Sequence, residues 1–216
     1  MRYRLIVFDW DGTLLDSTAG IVVAIQEAAR DLGLPLPTRE AASHVIGLGL
    51  HDSLRSAVPS LAEDRYREFA EAYRRHFLAR QSNMELFPGV RELLDELLAA
   101  DFRLAVATGK SRRGLNQALK LTGLEPMFHA TRCADETQPK PHPAMLLELM
   151  QELSLAERDL LMIGDTSHDL GMARSAGVDA VAVAYGAHPP DSLQAWGPRA
   201  CVHSVEELRR WLTSNA

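Results

Sequence analysis

Two acidic residues separated by a single residue, Asp9 and Asp11, follow the apolar run Leu5-Ile6-Val7-Phe8 and are followed at once by Gly12. Carboxylates this close repel each other, and a divalent cation, a shared proton, or both relieve the repulsion. Other reactive side chains stand at comparable places. Thr108 closes the run that begins at Arg103, Lys140 lies between Pro139 and Pro141, and Asp165 follows Leu160-Leu161-Met162-Ile163-Gly164, with Asp169 four residues on. Carboxylates, a hydroxyl and an ammonium in one cleft suit phosphoryl transfer. A phosphomonoester is doubly negative, so a carboxylate attacks it only where that charge is neutralised; oxygen-held Mg²⁺ and a lysine supply this. A hydroxyl and backbone N–H groups can hold the equatorial oxygens. An attacking carboxylate gives an aspartyl-phosphate, and a second carboxyl can protonate the leaving oxygen and later take a proton from water.

These residues need a scaffold that brings distant parts of the chain to one edge. The apolar runs 5–8, 103–108, 160–164 and 178–184 read as buried strands, with weaker strands over 128–131 and 200–202. Amphipathic stretches over 90–100, 112–122, 145–153 and 169–176 read as the helices between them, with a short helix over 191–196 and a last one opened by Ser204. Such alternation predicts an α/β fold: a Rossmann-like parallel sheet in three α/β/α layers, with ligands at the C-terminal ends of the strands. In extended chain, residues i and i+2 point the same way, so Asp9 and Asp11 are expected to converge. Between residues 19 and 80 no strand signal appears; helices are expected over 19–32, 39–46 and 51–57, then one opened by the Ser60-Leu61-Ala62-Glu63 pattern and running to Phe77 or Ala79. Ser154-Leu155-Ala156-Glu157 gives a further capping pattern of that kind. So long a helical block exceeds an ordinary crossover. The predicted organisation is a core of residues 1–15 and 86–216 with an inserted helical domain, 16–85.

The chain has 216 residues and a formal net charge of −6, which gives no basic field for nucleic acid. Cys133 and Cys201 show no metal or disulfide spacing and are expected to be reduced. No leader pattern and no apolar run of about 18 residues is evident, so neither secretion nor membrane insertion is expected, and a cytoplasmic location is.

The motifs, in order, resemble those of the haloacid dehalogenase-like phosphatase superfamily: Asp9-x-Asp11-Gly12-Thr13, Thr108 after an apolar strand, Lys140, and Gly164-Asp165-Thr166-Ser167-His168-Asp169. The resemblance covers essentially the whole chain. It implies that Asp9 is the nucleophile and a Mg²⁺ ligand, that Asp11 is the general acid/base with its backbone carbonyl also on the metal, and that Thr108 and Gly109 bind the phosphoryl group. It implies that Lys140 neutralises charge on nucleophile and phosphate, that Asp165 is a metal ligand, and that Asp169 reaches the metal through water or another ligand. The insertion corresponds to the family's helical cap, which closes over the cleft. Asp11 argues against a dehalogenase, which has no alkoxide to protonate. Leu14-Leu15-Asp16-Ser17 and Thr108-Gly109-Lys110-Ser111 look most like phosphoglycolate phosphatases, which usually carry Asn where this chain has Gly109. The expected substrate is a small phosphorylated metabolite, 2-phosphoglycolate first, and the expected assembly a monomer or homodimer. A phosphomutase resembling β-phosphoglucomutase and a non-catalytic binding domain are the alternatives.

Several residues admit two readings. Lys110 is a second cation near the phosphate or a lysine at a helix start. Asp16 and Ser17 read as helix-starting residues, and Gly47-Leu48-Gly49-Leu50-His51 as a loop dipping into the cleft or an interhelix turn. Arg55 is a contact for a substrate carboxylate or an ordinary solvated arginine, and the arginines of 65–80 read as a solvated face. His168 is expected near the site but not on the metal, and His142 and His188 as ordinary loop histidines.

Overall fold

The computed structural model describes residues 2–81 and 84–216. Six strands, β1 (Leu5–Phe8), β2 (Arg103–Thr108), β3 (Ala130–Cys133), β4 (Leu160–Gly164), β5 (Asp179–Val183) and β6 (Ala200–Val202), form one sheet in the order β3-β2-β1-β4-β5-β6. All neighbouring pairs are parallel. Strand order reverses between β1 and β4, so the crevice of a doubly wound sheet opens there, beside Asp9 and Asp165.

Strand alternation builds the two outer layers. Ile6, Phe8, Leu104, Val106, Leu161 and Ile163 face helices α5 (Val90–Ala99), α6 (Arg112–Thr122) and α10 (Val205–Asn215). Leu5, Val7, Ala105, Ala107, Leu160 and Met162 face α7 (Ala144–Leu153), α8 (Ser167–Ser175) and α9 (Pro190–Gln194). Both faces are therefore covered, which is why the strands read as unbroken apolar runs.

Between β1 and β2 lie α1 (Thr18–Asp31), α2 (Arg39–His44), α3 (Leu50–Ala57) and α4 (Tyr66–Gln81). They pack around a separate apolar cluster that includes Ile21, Ile25, Leu54, Phe69 and Phe77. Two capping patterns act differently from expectation. Ser60 lies in a turn, a 3₁₀ turn over Glu63–Arg65 follows, and α4 starts at Tyr66. Ser154 closes α7 in the left-handed conformation, and Asp159 accepts from the Ala156 N–H at 2.9 Å just before β4. A Ser-x-x-Glu capping box needs the free N–H groups of a new α-helix, and at both places the chain makes only a short 3₁₀ turn. At Ser204 the pattern holds, its Oγ accepting from Glu207 N at 3.1 Å. β3 lies two residues later than the apolar signal placed it.

Leu94 is fully buried between α5 and the sheet. Leu94→Ala should lower stability by about 2–5 kcal/mol in chemical denaturation, the range for a buried Leu truncation.

Candidate active site

β1 ends at Phe8, and the next residues form a tight turn rather than more strand. The Trp10 carbonyl accepts from the N–H groups of Leu14 and Leu15 at 3.0 Å, and the Trp10 ring is buried in the core. Gly12 has φ +80°, and a Cβ there would stand 2.2 Å from Asp165 Oδ2; a Cβ at Gly186 would do the same from the other side. Glycine at these positions lets Asp165 sink between two loops.

The turn gives the paired carboxylates separate partners. Asp9 Oδ1 accepts from Lys140 Nζ at 2.7 Å, and the same ammonium donates to Asp169 Oδ1 at 2.6 Å. Asp11 instead accepts from Ser17 Oγ at 2.7 Å and pairs with Lys110 Nζ at 2.9 Å. Both line one cavity with Thr108 and Gly109, but the turn and not strand alternation aims them. Asp165 accepts from Thr13 Oγ1 at 2.9 Å and from Ala187 N at 2.7 Å. Asp169 is the third residue of α8, where it accepts from Thr166 N at 3.0 Å and Thr166 Oγ1 at 2.6 Å. This is a capping box made by Thr166 and Asp169, and it aims the other Asp169 oxygen at Lys140.

One carboxylate oxygen each from Asp9, Asp165 and Asp169 lies within 4.8 Å of the others, all three residues buried. Among the described residues one ammonium, Lys140, stands against these three acids, so that two negative charges are unopposed when all three are ionised. Asp9 Oδ2 is buried with no hydrogen-bond partner among the described residues. An all-oxygen donor set, surplus negative charge and an orphaned carboxylate oxygen fit a hard divalent cation. Burial raises the Asp9 carboxyl to about 7, against the pull of Lys140 and with the repulsion of Asp169. Burial, then the charges of Asp9 and Asp169, hold Asp165 well above the usual carboxylate range. Burial alone would lower Lys140; Asp169 and Asp9 outweigh it and keep the ammonium charged.

The inserted helices meet this edge directly. A Cβ on Gly109 would lie 2.5 Å from the Gly47 carbonyl oxygen and 2.6 Å from that of Leu48. Backbone of the 47–49 loop thus occupies the space a side chain at 109 would need, which accounts for glycine there. The His44 carbonyl sits 2.7 Å from His168 Nε2 and 3.1 Å from His188 Nε2. His188 Nδ1 accepts from Ser167 N at 3.0 Å, and burial pushes its pKa down to about 4, so the ring is neutral and donates through Nε2. His188 is therefore a buried connector rather than an ordinary loop histidine, with no sequence signal to mark it. His142 is exposed and accepts from Ala144 N. Ser17 precedes α1 but makes no side-chain cap bond, its hydroxyl going to Asp11. Lys110 pairs with Asp11 and lies 4.7 Å from the Phe77 ring centre of α4, so its ammonium stands at the edge of the cavity. Arg55 pairs only loosely with Asp52, at 3.7 Å, and is exposed.

A family model described as haloacid dehalogenase-like hydrolase matches residues 6–183. The chain belongs to this family. It is 37% identical to the probable phosphatase IndB of Dickeya dadantii, over 94% of this chain and 91% of that one. It is 35% identical to the tyrosine-protein kinase PtkA of Mycobacterium tuberculosis, over 97% of this chain and 72% of that one. It is 30% identical to a phosphoglycolate phosphatase of Vibrio parahaemolyticus, over 95% and 94%. A solved structure described as a predicted phosphoglycolate phosphatase from Haemophilus somnus superposes with TM-score 0.88 at 26% identity, covering 98% of this chain and 99% of that one. The protein is a phosphatase of this family. No helix among the described residues is long and apolar enough to cross a membrane.

Two outcomes follow. Because the folded state holds Asp9 above its ordinary 3.8, its protonation favours the metal-free fold, and that contribution to stability is full in acid and is lost as pH rises through about 7. Bound Mg²⁺ opposes that fall and competes with the proton. Thermal unfolding should therefore show a gain of about 5–10 °C at a hundredfold excess of Mg²⁺ over Kd near pH 8, and much less near pH 5.5. Gly109→Asn should displace the 47–49 loop, raising hydrogen exchange across residues 45–50 by about tenfold or more.

Proposed function

We propose that the protein is a Mg²⁺-dependent phosphomonoesterase that works through an aspartyl-phosphate on Asp9. The observation that carries this reading is the buried cluster in which Lys140 bridges Asp9 and Asp169 while Asp9 Oδ2 has no partner. Asp9, Asp165 and the Asp11 backbone carbonyl would hold Mg²⁺, with Asp169 acting through Lys140 or a water. When bound, the ion supplies charge neutralisation for the phosphoryl oxygens and the attacking carboxylate.

The chain's own residues do the rest. Asp9 attacks phosphorus, the bond from phosphorus to the leaving oxygen breaks, and Asp11 gives that oxygen a proton. Water then attacks the phosphorus of the aspartyl-phosphate, Asp11 takes a proton from it, and inorganic phosphate leaves with Asp9 restored. Lys140 neutralises Asp9 throughout and fixes its rotamer. Thr108 and Gly109, at the end of β2, would bind the phosphoryl group opposite Asp9. Separate partners for Asp9 and Asp11 support a division between nucleophile and proton carrier, since two carboxyls in different surroundings can differ in protonation. The helices over 16–85 would act as a cap that excludes bulk water. The substrate is a small phosphorylated metabolite, and the relatives make 2-phosphoglycolate the first to assay.

Phosphate release from a metabolite panel tests this. Asp9→Asn or chelation of Mg²⁺ should abolish turnover, and Asp11→Asn should lower kcat by about 10²–10⁴. Full activity in Asp9→Asn would overturn the assignment of the nucleophile.

A further inference from the structure

The cavity above Asp9 and Asp11 does not stop at the sheet edge. It measures about 380 Å³ and continues between the inserted helices, where Ile21, Ile25, Leu54, Phe69 and Phe77 line it. The same side chains belong to the insertion's own apolar cluster, so its core is left open toward the catalytic side. An apolar cavity of ~150 Å³ already takes a benzene ring. This one has room for the phosphoryl group and a sizeable organic group behind it.

Several polar side chains on that lining are already engaged, while the Tyr73 hydroxyl of α4 also lines it. Lys110 pairs with Asp11 and lies over Phe77. Ser53 Oγ donates to the carbonyls of Gly49 at 2.9 Å and Val45 at 3.1 Å. Gln117 donates to Gln81 at 3.0 Å. Of the cations on the lining, Arg74 and Arg113 are exposed, and Lys110 is already paired with Asp11. A carboxylate placed in this hollow would lose its hydration, and the one little-exposed cation on the lining, Lys110, is already committed to Asp11. An alkyl or aryl group would gain from the same burial.

We infer that the cavity selects phosphomonoesters whose leaving alcohol is apolar, an alkyl or aryl group of about four carbons or more, over short anionic ones such as 2-phosphoglycolate. This rests on the phosphatase reading above. The reaction is the same hydrolysis: the ester and water give the apolar alcohol and inorganic phosphate, with Asp11 protonating the departing alkoxide.

The unmodified enzyme with Mg²⁺ provides the test, through kcat/KM for ethyl, butyl and hexyl phosphate, phenyl phosphate and 2-phosphoglycolate. Leaving-group basicity barely changes along the alkyl series, so its slope reads the cavity and not the chemistry. The expected result is a rise of about threefold or more per added methylene, approaching the fourfold of full burial, with hexyl and phenyl phosphate above 2-phosphoglycolate. Ala70 lines the cavity from α4, and Ala70→Phe should cut the hexyl-to-ethyl ratio about tenfold or more. A flat or falling series with 2-phosphoglycolate preferred would overturn this inference and leave the phosphatase reading standing. So would an unchanged ratio in a folded Ala70→Phe variant. Turnover of none of these esters, nor of any other in a metabolite panel, would overturn both.

Discussion

Everything at the carboxyl edge depends on one buried ammonium. Lys140 is fully enclosed between Asp9 and Asp169, and three buried acids share that single positive charge. Removing these groups from water costs several kcal/mol per ion, and only close pairing and satisfied hydrogen bonds offset it. The fold supplies both. Parallel pairing of β1 with β4 sets Phe8 beside Ile163, so Asp9 and Asp165 leave the sheet side by side. The capping box at Thr166 turns Asp169 toward Lys140. What remains uncompensated is negative charge and one free carboxylate oxygen, and that residue of charge is what a cation and a phosphoryl group would use.

A second, smaller ion pair links chemistry to the insertion. Lys110 holds Asp11 and touches Phe77 of α4, while Ser17 holds Asp11 from the start of α1. Asp11 is thus fixed by a residue from the sheet edge and one at the entrance to the inserted helices. The 47–49 loop seats on Gly109, and His44 is tied to His168 and His188. The helices that shape the far end of the cavity are the same ones whose residues help to order Asp11. With the roles proposed above, recognition of the leaving group and its protonation would be physically connected.

Most of the fold was legible in the sequence because its strands are buried on both faces and leave unbroken apolar runs. β2, α6 and β6 match their expected bounds. The candidate site residues Asp9, Thr108, Lys140 and Asp165 stand out for a related reason: each lies at a strand end or in a loop that the chain pattern marks, whereas Asp169 lies in the first turn of α8. The misses share a cause. Ser60 and Ser154 carry capping patterns, but whether a helix begins there depends on tertiary packing that local pattern does not encode. Ser17 and Lys110 act on Asp11 through a turn geometry set by Gly12, and His188 through a contact made across the fold. Gly109 looked like a departure from a pattern; only the loop folded over it explains the missing side chain. The apolar hollow was least legible, because its lining residues are also core residues, and a helix pattern gives no sign that a core is open.

The central claim is that Asp9 carries the phosphoryl group. The most direct measurement is rapid acid quench of the Mg²⁺-loaded enzyme during turnover, followed by mass analysis of its peptides. The account predicts the added mass of one phosphoryl group on the peptide containing Asp9, lost on standing at neutral pH and absent in Asp9→Asn. Steady turnover with that mass on a different residue, or undiminished in Asp9→Asn, would contradict it.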